Sequence, residues 1–204
     1  MKISRKLGGI PVIDDSQACL KDAPVLKKEY ADCNLIIVGN LNNNRAFWPA
    51  YTRTLAGADA FYPGGKGYEL RTAVNVLSNG KNHIIIGGSS HEGLLRGMER
   101  FLSLCSSRQK MLLEVRTDGD CARRINEDIA DWKKNFPGGK GKFPGSSPGY
   151  DAVRRWYHHA LMYYWTGDDF YRKMAQQFIK PLIRQKAYTH HYIMECQDRP
   201  RCSR

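Results

Sequence analysis

A chain of 204 residues with 42% apolar and 25% charged residues has the composition of a folded globular protein, not of a disordered one. Its net charge of +12 favours anionic partners, yet the basic residues are dispersed and no run of five or more Lys/Arg marks a nucleic-acid patch. No stretch approaches the roughly 18 consecutive apolar residues of a membrane helix. The six cysteines include no C-x-x-C pair, which argues against a structural zinc and, beside a normal core, against a disulfide framework.

The chain starts with a basic hexapeptide and then Leu7-Gly8-Gly9-Ile10-Pro11-Val12-Ile13. Two glycines and a proline break this run, so it is no signal-peptide core, and the default compartment is the cytoplasm. The run reads as a strand entering the fold. Asn34-Leu35-Ile36-Ile37-Val38-Gly39 is a β-branched run ended by glycine, the pattern of a buried strand. Asn40 to Asn44 form a polar turn able to cap the next helix, where Phe47, Trp48, Tyr51 and Leu55 fall at helical spacing and Pro49 sits near the start.

Tyr62-Pro63-Gly64-Gly65-Lys66-Gly67 is a loop, and residues 68–74 alternate as a strand does. Asn79-Gly80 signals a hairpin. His83-Ile84-Ile85-Ile86-Gly87-Gly88 is another buried strand, followed by a helix that Ser89 and Glu92 open as a capping box. Leu94, Leu95, Met98, Phe101, Leu102 and Cys105 form its apolar face. A closing strand is expected over residues 111–115 and a short helix over 123–132. Residues 136–149, rich in Gly and Pro, read as a linker.

Val153, Trp156, Tyr157, Ala160, Leu161 and Tyr164 then share one helical face. Thr166-Gly167-Asp168 stops that helix, and Phe170, Met174, Phe178 and Leu182 stripe the next, giving an αα-hairpin. After Glu195 the chain is polar, basic and aperiodic, which reads as the end of a truncated or frameshifted product. The expected class is α+β: a small mixed-sheet α/β domain and an incomplete helical hairpin region. The expected division is 1–118 α/β domain, 119–150 linker with a short helix, 151–195 hairpin and 196–204 irregular tail. Residues 34–105 form its compact α/β module, in which no catalytic centre is expected.

Three patterns invite chemistry. The amides of the helix that follows Gly87-Gly88-Ser89-Ser90 could hold a phosphate, although the spacing lacks G-x-G-x-x-G. The glycine-rich loops at Gly65 and Gly138 lack the phosphate-loop pattern too. His158-His159 and His190-His191, with Glu195 one helical turn after His191, could form a metal pair or an acid/base couple. A tandem histidine on an aromatic-rich helix more often places one ring in the core and one outside. No metal or cofactor is expected.

Two segments resemble known families. Gly67-Tyr68-Glu69-Leu70-Arg71 fits a Gly-Tyr-x-(Leu/Ile)-(Arg/Lys) strand. Residues 84–97 fit the strand–helix joint that follows it, with Arg96 where a tyrosine is commoner. Together they resemble the N-terminal α/β accessory domain of bacterial β-hexosaminidases and α-glucuronidases. Tyr163-Tyr164-Trp165-Thr166-Gly167-Asp168 is similar to hairpin junctions in the (α/α) toroids of heparinase- and alginate-lyase-type enzymes. The resemblance implies a non-catalytic N-terminal fragment of a carbohydrate-active protein that binds polysaccharide or oligosaccharide, anionic ones suiting its charge. It also implies parent proteins that are often secreted or periplasmic. By the same likeness Tyr188, His190, His191 and Tyr192 would stand where toroid enzymes keep their acid and base. The alternatives are a basic nucleic-acid-binding module and a small enzyme holding a phosphorylated ligand at the Ser89 helix start.

Overall fold

A computed structural model describes residues 2–105, 112–135 and 148–184, in two compact units, Met1–Glu127 and Asp128–Arg204. The first holds a mixed four-stranded sheet made of β1 (Leu35–Gly39), β2 (Tyr68–Ala73), β3 (His83–Gly87) and β4 (Leu113–Arg116). Its strand order is β1-β3-β2-β4, with β1 parallel to β3 and the other two pairings antiparallel. With the helices around it, the protein is of the α+β class.

Both faces of the sheet are covered. On one, Ile37, Ala73 and Ile85 pack with Phe47 and Ala50, carried by the tight turn Arg45–Phe47 and by α4 (Trp48–Thr52), and with Ala18 of α2 (Asp15–Ala18). On the other, Leu70 and Ile86 meet Phe101 of α5 (His91–Leu104) and Ile3 of α1 (Lys2–Lys6). This double cover explains β2. An alternating strand was expected, but Glu69, Leu70 and Arg71 are buried in succession, because β2 lies between β3 and β4 with packing above and below. The short helix α3 (Lys28–Ala31) precedes β1.

Several sequence expectations shift. Residues 7–13 form no strand: Gly8 and Gly9 both take positive φ, and Ile10, Val12 and Ile13 stay exposed before Asp14 caps α2. β2 and β3 are antiparallel neighbours, but the connection 74–82 is longer than a two-residue Asn-Gly turn. Asn75 and Ser78 as well as Gly80 take positive φ, and Asn75 Oδ1 accepts the Gly80 amide at 2.7 Å. Leu95, assigned to the apolar face of α5, is 43% exposed, while Gly93, Gly97 and Phe101 face inward.

The cap of α5 moves by one residue. Ser90 has the extended backbone of an N-cap, and its hydroxyl accepts the Gly93 amide at 3.1 Å. Ser89 instead accepts the Gly64 amide at 3.0 Å, and Glu92 pairs with Lys66 and Arg96. Ser90 also donates to the Gly65 carbonyl. Ser90→Ala is therefore expected to destabilise unit 1 by about 1 kcal/mol in urea unfolding, and an effect confined to Ser89→Ala would restore the earlier cap.

α6 (Gly119–Asn135) is longer at both ends than the helix expected over 123–132, and it runs across the boundary between the units. In the second unit α7 (Pro148–Thr166) and α8 (Asp169–Arg184) form the expected αα-hairpin, turned at Gly167 with φ 67°. Pro148 and Gly149, placed in the linker by sequence, belong to α7, and residues 136–147 lie outside the described ones. The buried faces are rotated from those expected: His159, Met162, Tyr171 and Ala175 are buried, whereas Tyr157 and Phe170 are about half exposed. Aromatic residues surround α7, so apolar spacing alone does not select its inner face. Among the described residues no helix is long and apolar enough to cross a membrane.

Candidate functional site

The C-terminal ends of β1 and β3 converge with the start of β2 on one edge of the sheet, and the loops there are tied by side chains. Asn40 is buried. It donates through Nδ2 to the Gly88 carbonyl (2.8 Å) and accepts the Asn42 amide at Oδ1 (2.9 Å), joining the two parallel strand ends. Asn44 caps the turn after β1 by accepting the Ala46 amide (3.0 Å).

Beneath the next loop lies a buried ion pair. Glu69 and Arg71 are two apart on β2 and therefore point to the same face, with Arg71 Nε donating to Glu69 Oε2 at 2.7 Å. The other carboxylate oxygen accepts the amides of Gly57 and Ala58, each at 2.8 Å. Room for this carboxylate comes from Gly87, its register partner on β3. A Cβ at Gly87 would lie 2.7 Å from Glu69 Cγ and 2.6 Å from Ala58 Cβ. Arg71 also reaches the Tyr62 hydroxyl at 3.4 Å.

The loop that follows is braced again from the side. Tyr51 of α4 donates to Asp59 Oδ2 (3.1 Å), and Asp59 Oδ1 accepts the amides of Phe61 (2.7 Å) and Tyr62 (2.8 Å). The outcome is a loop with every strap pulling inward and one ring outside it: Phe61 is 83% exposed. Trp48, one turn before Tyr51 on α4, is 45% exposed. Two aromatic rings are thus held toward solvent on segments joined by the Tyr51–Asp59 bond, with Arg53 exposed in the connection between them.

The start of α5 is filled by its own chain. Its Gly93 amide binds Ser90, and the 64–67 loop packs so closely that a Cβ on Gly93 would strike the Gly67 carbonyl oxygen. Asp118 closes the other side of that loop by accepting the Lys66 amide at 2.8 Å, and this backbone bond holds its carboxyl below the usual range.

In the second unit His158 and His159 both serve packing against Trp132. His158 stacks on the indole with ring centroids 4.8 Å apart, and His159 meets it edge-on at 5.2 Å. His159 is fully buried, its Nδ1 lies 2.6 Å from the Arg155 carbonyl, and its Nε2 has no hydrogen-bond partner among the described residues. Burial lowers its pKa, so the ring is neutral at physiological pH. Among the described residues no group of three or more His, Cys, Asp or Glu could hold a metal ion. The four described cysteines are unpaired, and burial raises the thiol pKa of Cys19 and Cys121, which makes them poor nucleophiles.

Tyr188, His190, His191 and Tyr192 lie outside the described residues. The braced loop was not singled out in the sequence. Its one signal was two charged residues, Glu69 and Arg71, inside a strand pattern, together with an acidic residue two before an aromatic. No family model matches the chain, and no curated protein and no solved structure matches it.

Proposed function

We propose that this chain is a non-catalytic part of a carbohydrate-active protein of the polysaccharide lyase or glycoside hydrolase type, and that its first unit binds an anionic polysaccharide. The observation that carries this reading is the exposure of Phe61 and Trp48 on two segments tied together by the Tyr51–Asp59 hydrogen bond. Exposed rings on a rigid support mark binding surfaces, and the apolar face of a sugar ring stacks on such rings. The exposed Arg53 and the net charge of +12 suit carboxylate-bearing sugars. The polar groups of unit 1 described above are engaged in holding loops to the sheet, which suits a binding module more than a catalyst. The start of α5, occupied by the chain's own loop, supports the phosphorylated-ligand alternative less well.

Phe61→Ala and Trp48→Ala are each expected to weaken binding to a polyuronate by about tenfold in affinity electrophoresis, with unfolding midpoints unchanged. Unaltered affinity in both variants would count against the reading. Duplex DNA bound more tightly than polyuronate, with a steep salt dependence, would favour the nucleic-acid alternative.

A further inference from the structure

β1 is an outer strand, and its register fixes which of its groups face away from the sheet. The Leu35 amide donates to the Asn82 carbonyl at 3.2 Å. In the parallel ladder Leu35, Ile37 and Gly39 therefore bond to β3, and the N–H and C=O groups of Ile36 and Val38 point outward. Among the described residues one side-chain hydrogen bond meets this edge, from Asn44 Nδ2 to the Val38 carbonyl at 3.0 Å. The Ile36 and Val38 amides donate to no other described residue. Sheet edges are ordinarily blocked by Lys, Pro, a bulge or a covering element. β1 reads Leu-Ile-Ile-Val-Gly and carries neither of those residues.

Beside this edge runs a groove of about 990 Å³. Ile36, Val38 and Ile84 line it from the sheet, and Ile3, Leu7 and Val12 from the N-terminal segment. Its charged lining groups, Asp14, Asp15 and Glu29, are all acidic in a chain that is basic as a whole, and of these Asp15 is paired with Arg45 at 3.2 Å.

We propose that β1 is a docking edge for an extended strand of a partner polypeptide, apolar at alternate positions and cationic at its ends. The outward amides and carbonyls dictate an extended backbone, because only a strand offers donors and acceptors at the same repeat. The groove takes every second side chain, as the two-residue period of a strand requires. Asp14 and Glu29 select Lys or Arg at the flanks and disfavour a second copy of β1, which would bring acid against acid. This inference is independent of the polysaccharide reading and survives its failure.

The test uses the full chain, labelled for amide detection, and a capped heptapeptide Lys-Val-Thr-Val-Thr-Val-Lys. At saturation the exchange of the Ile36 and Val38 amides should slow by at least about tenfold. The same peptide with Glu at both ends should bind at least about tenfold more weakly at low salt, the gap narrowing as salt is added. Val38→Pro removes an outward donor while sparing the bonds to β3, and it should abolish the effect with the β3 amides still protected. Should that variant unfold, Ile36→Lys places a charge on the groove side of β1 and carries the same expectation. No slowing at about 1 mM peptide, equal binding of the two peptides, or undiminished binding by a folded edge variant would overturn the proposal.

Discussion

Glu69→Ala is expected to destabilise the first unit by about 3–5 kcal/mol, the loss typical of breaking a buried ion pair from one side. Glu69 is completely buried and Arg71 is 5% exposed, so water cannot replace the lost carboxylate without opening the core. The substitution leaves the guanidinium in the interior without its 2.7 Å partner and strips the acceptor from the Gly57 and Ala58 amides. Removing the whole pair with apolar residues of similar volume, as in Glu69→Leu combined with Arg71→Met, should restore part of the stability, since no charge then stays buried. Urea unfolding followed on amide signals of Ile85 and Ile86 reads this out. A loss below about 1 kcal/mol for Glu69→Ala would mean that the pair is not buried as described.

The second large effect concerns pH. His83 is fully buried at the start of β3, neither ring nitrogen has a hydrogen-bond partner among the described residues, and burial pushes its pKa down to about 4. In the unfolded chain histidine titrates near 6.5. Between these values the unfolded state binds more protons than the folded one, so stability is lost as pH falls from about 6.5 toward 4 and changes no further below. The full difference is up to about 3 kcal/mol, and about 2 kcal/mol is already gone at pH 5. His83→Leu fills the same apolar site without a titrating group. It should flatten this part of the profile and unfold at higher urea than the parent at pH 5. Parallel pH profiles for parent and variant would show that His83 takes up its proton in the folded state.

The parts of this fold most legible in the sequence are those where burial and pattern agree. β1 and β3 are short β-branched runs ended by glycine, and α5 repeats its apolar residues at helical spacing, so each was recognisable alone. The residues that fit the accessory-domain pattern turn out to do packing work: Gly87 makes room for Glu69, and Gly93 lets the Gly67 carbonyl approach. Such a pattern speaks of fold more than of chemistry. Less legible was whatever depends on a distant partner. Charged Glu69 and Arg71 look solvent-facing until loop 57–62 is seen to need them. The cap moves from Ser89 to Ser90 because Ser89 is claimed by Gly64, twenty-five residues away in sequence. Trp132, from outside the hairpin, draws His158 and His159 toward itself and so fixes a face that spacing among surrounding aromatics could not choose.

The rim at Phe61 rests on short-range bonds, from Tyr51 to Asp59 and from the Phe61 and Tyr62 amides to Asp59, and an acidic residue two before an aromatic was its one local hint. Titrating a uronic-acid oligosaccharide into the labelled full chain, with amide shifts followed residue by residue, tests the proposed polysaccharide-binding surface. Saturable shifts should concentrate at Trp48, Arg53 and residues 59–62 and disappear in a Trp48→Ala/Phe61→Ala double variant. Absence of saturable shifts there, or shifts that persist in the double variant, would contradict the assignment of this rim as the binding surface.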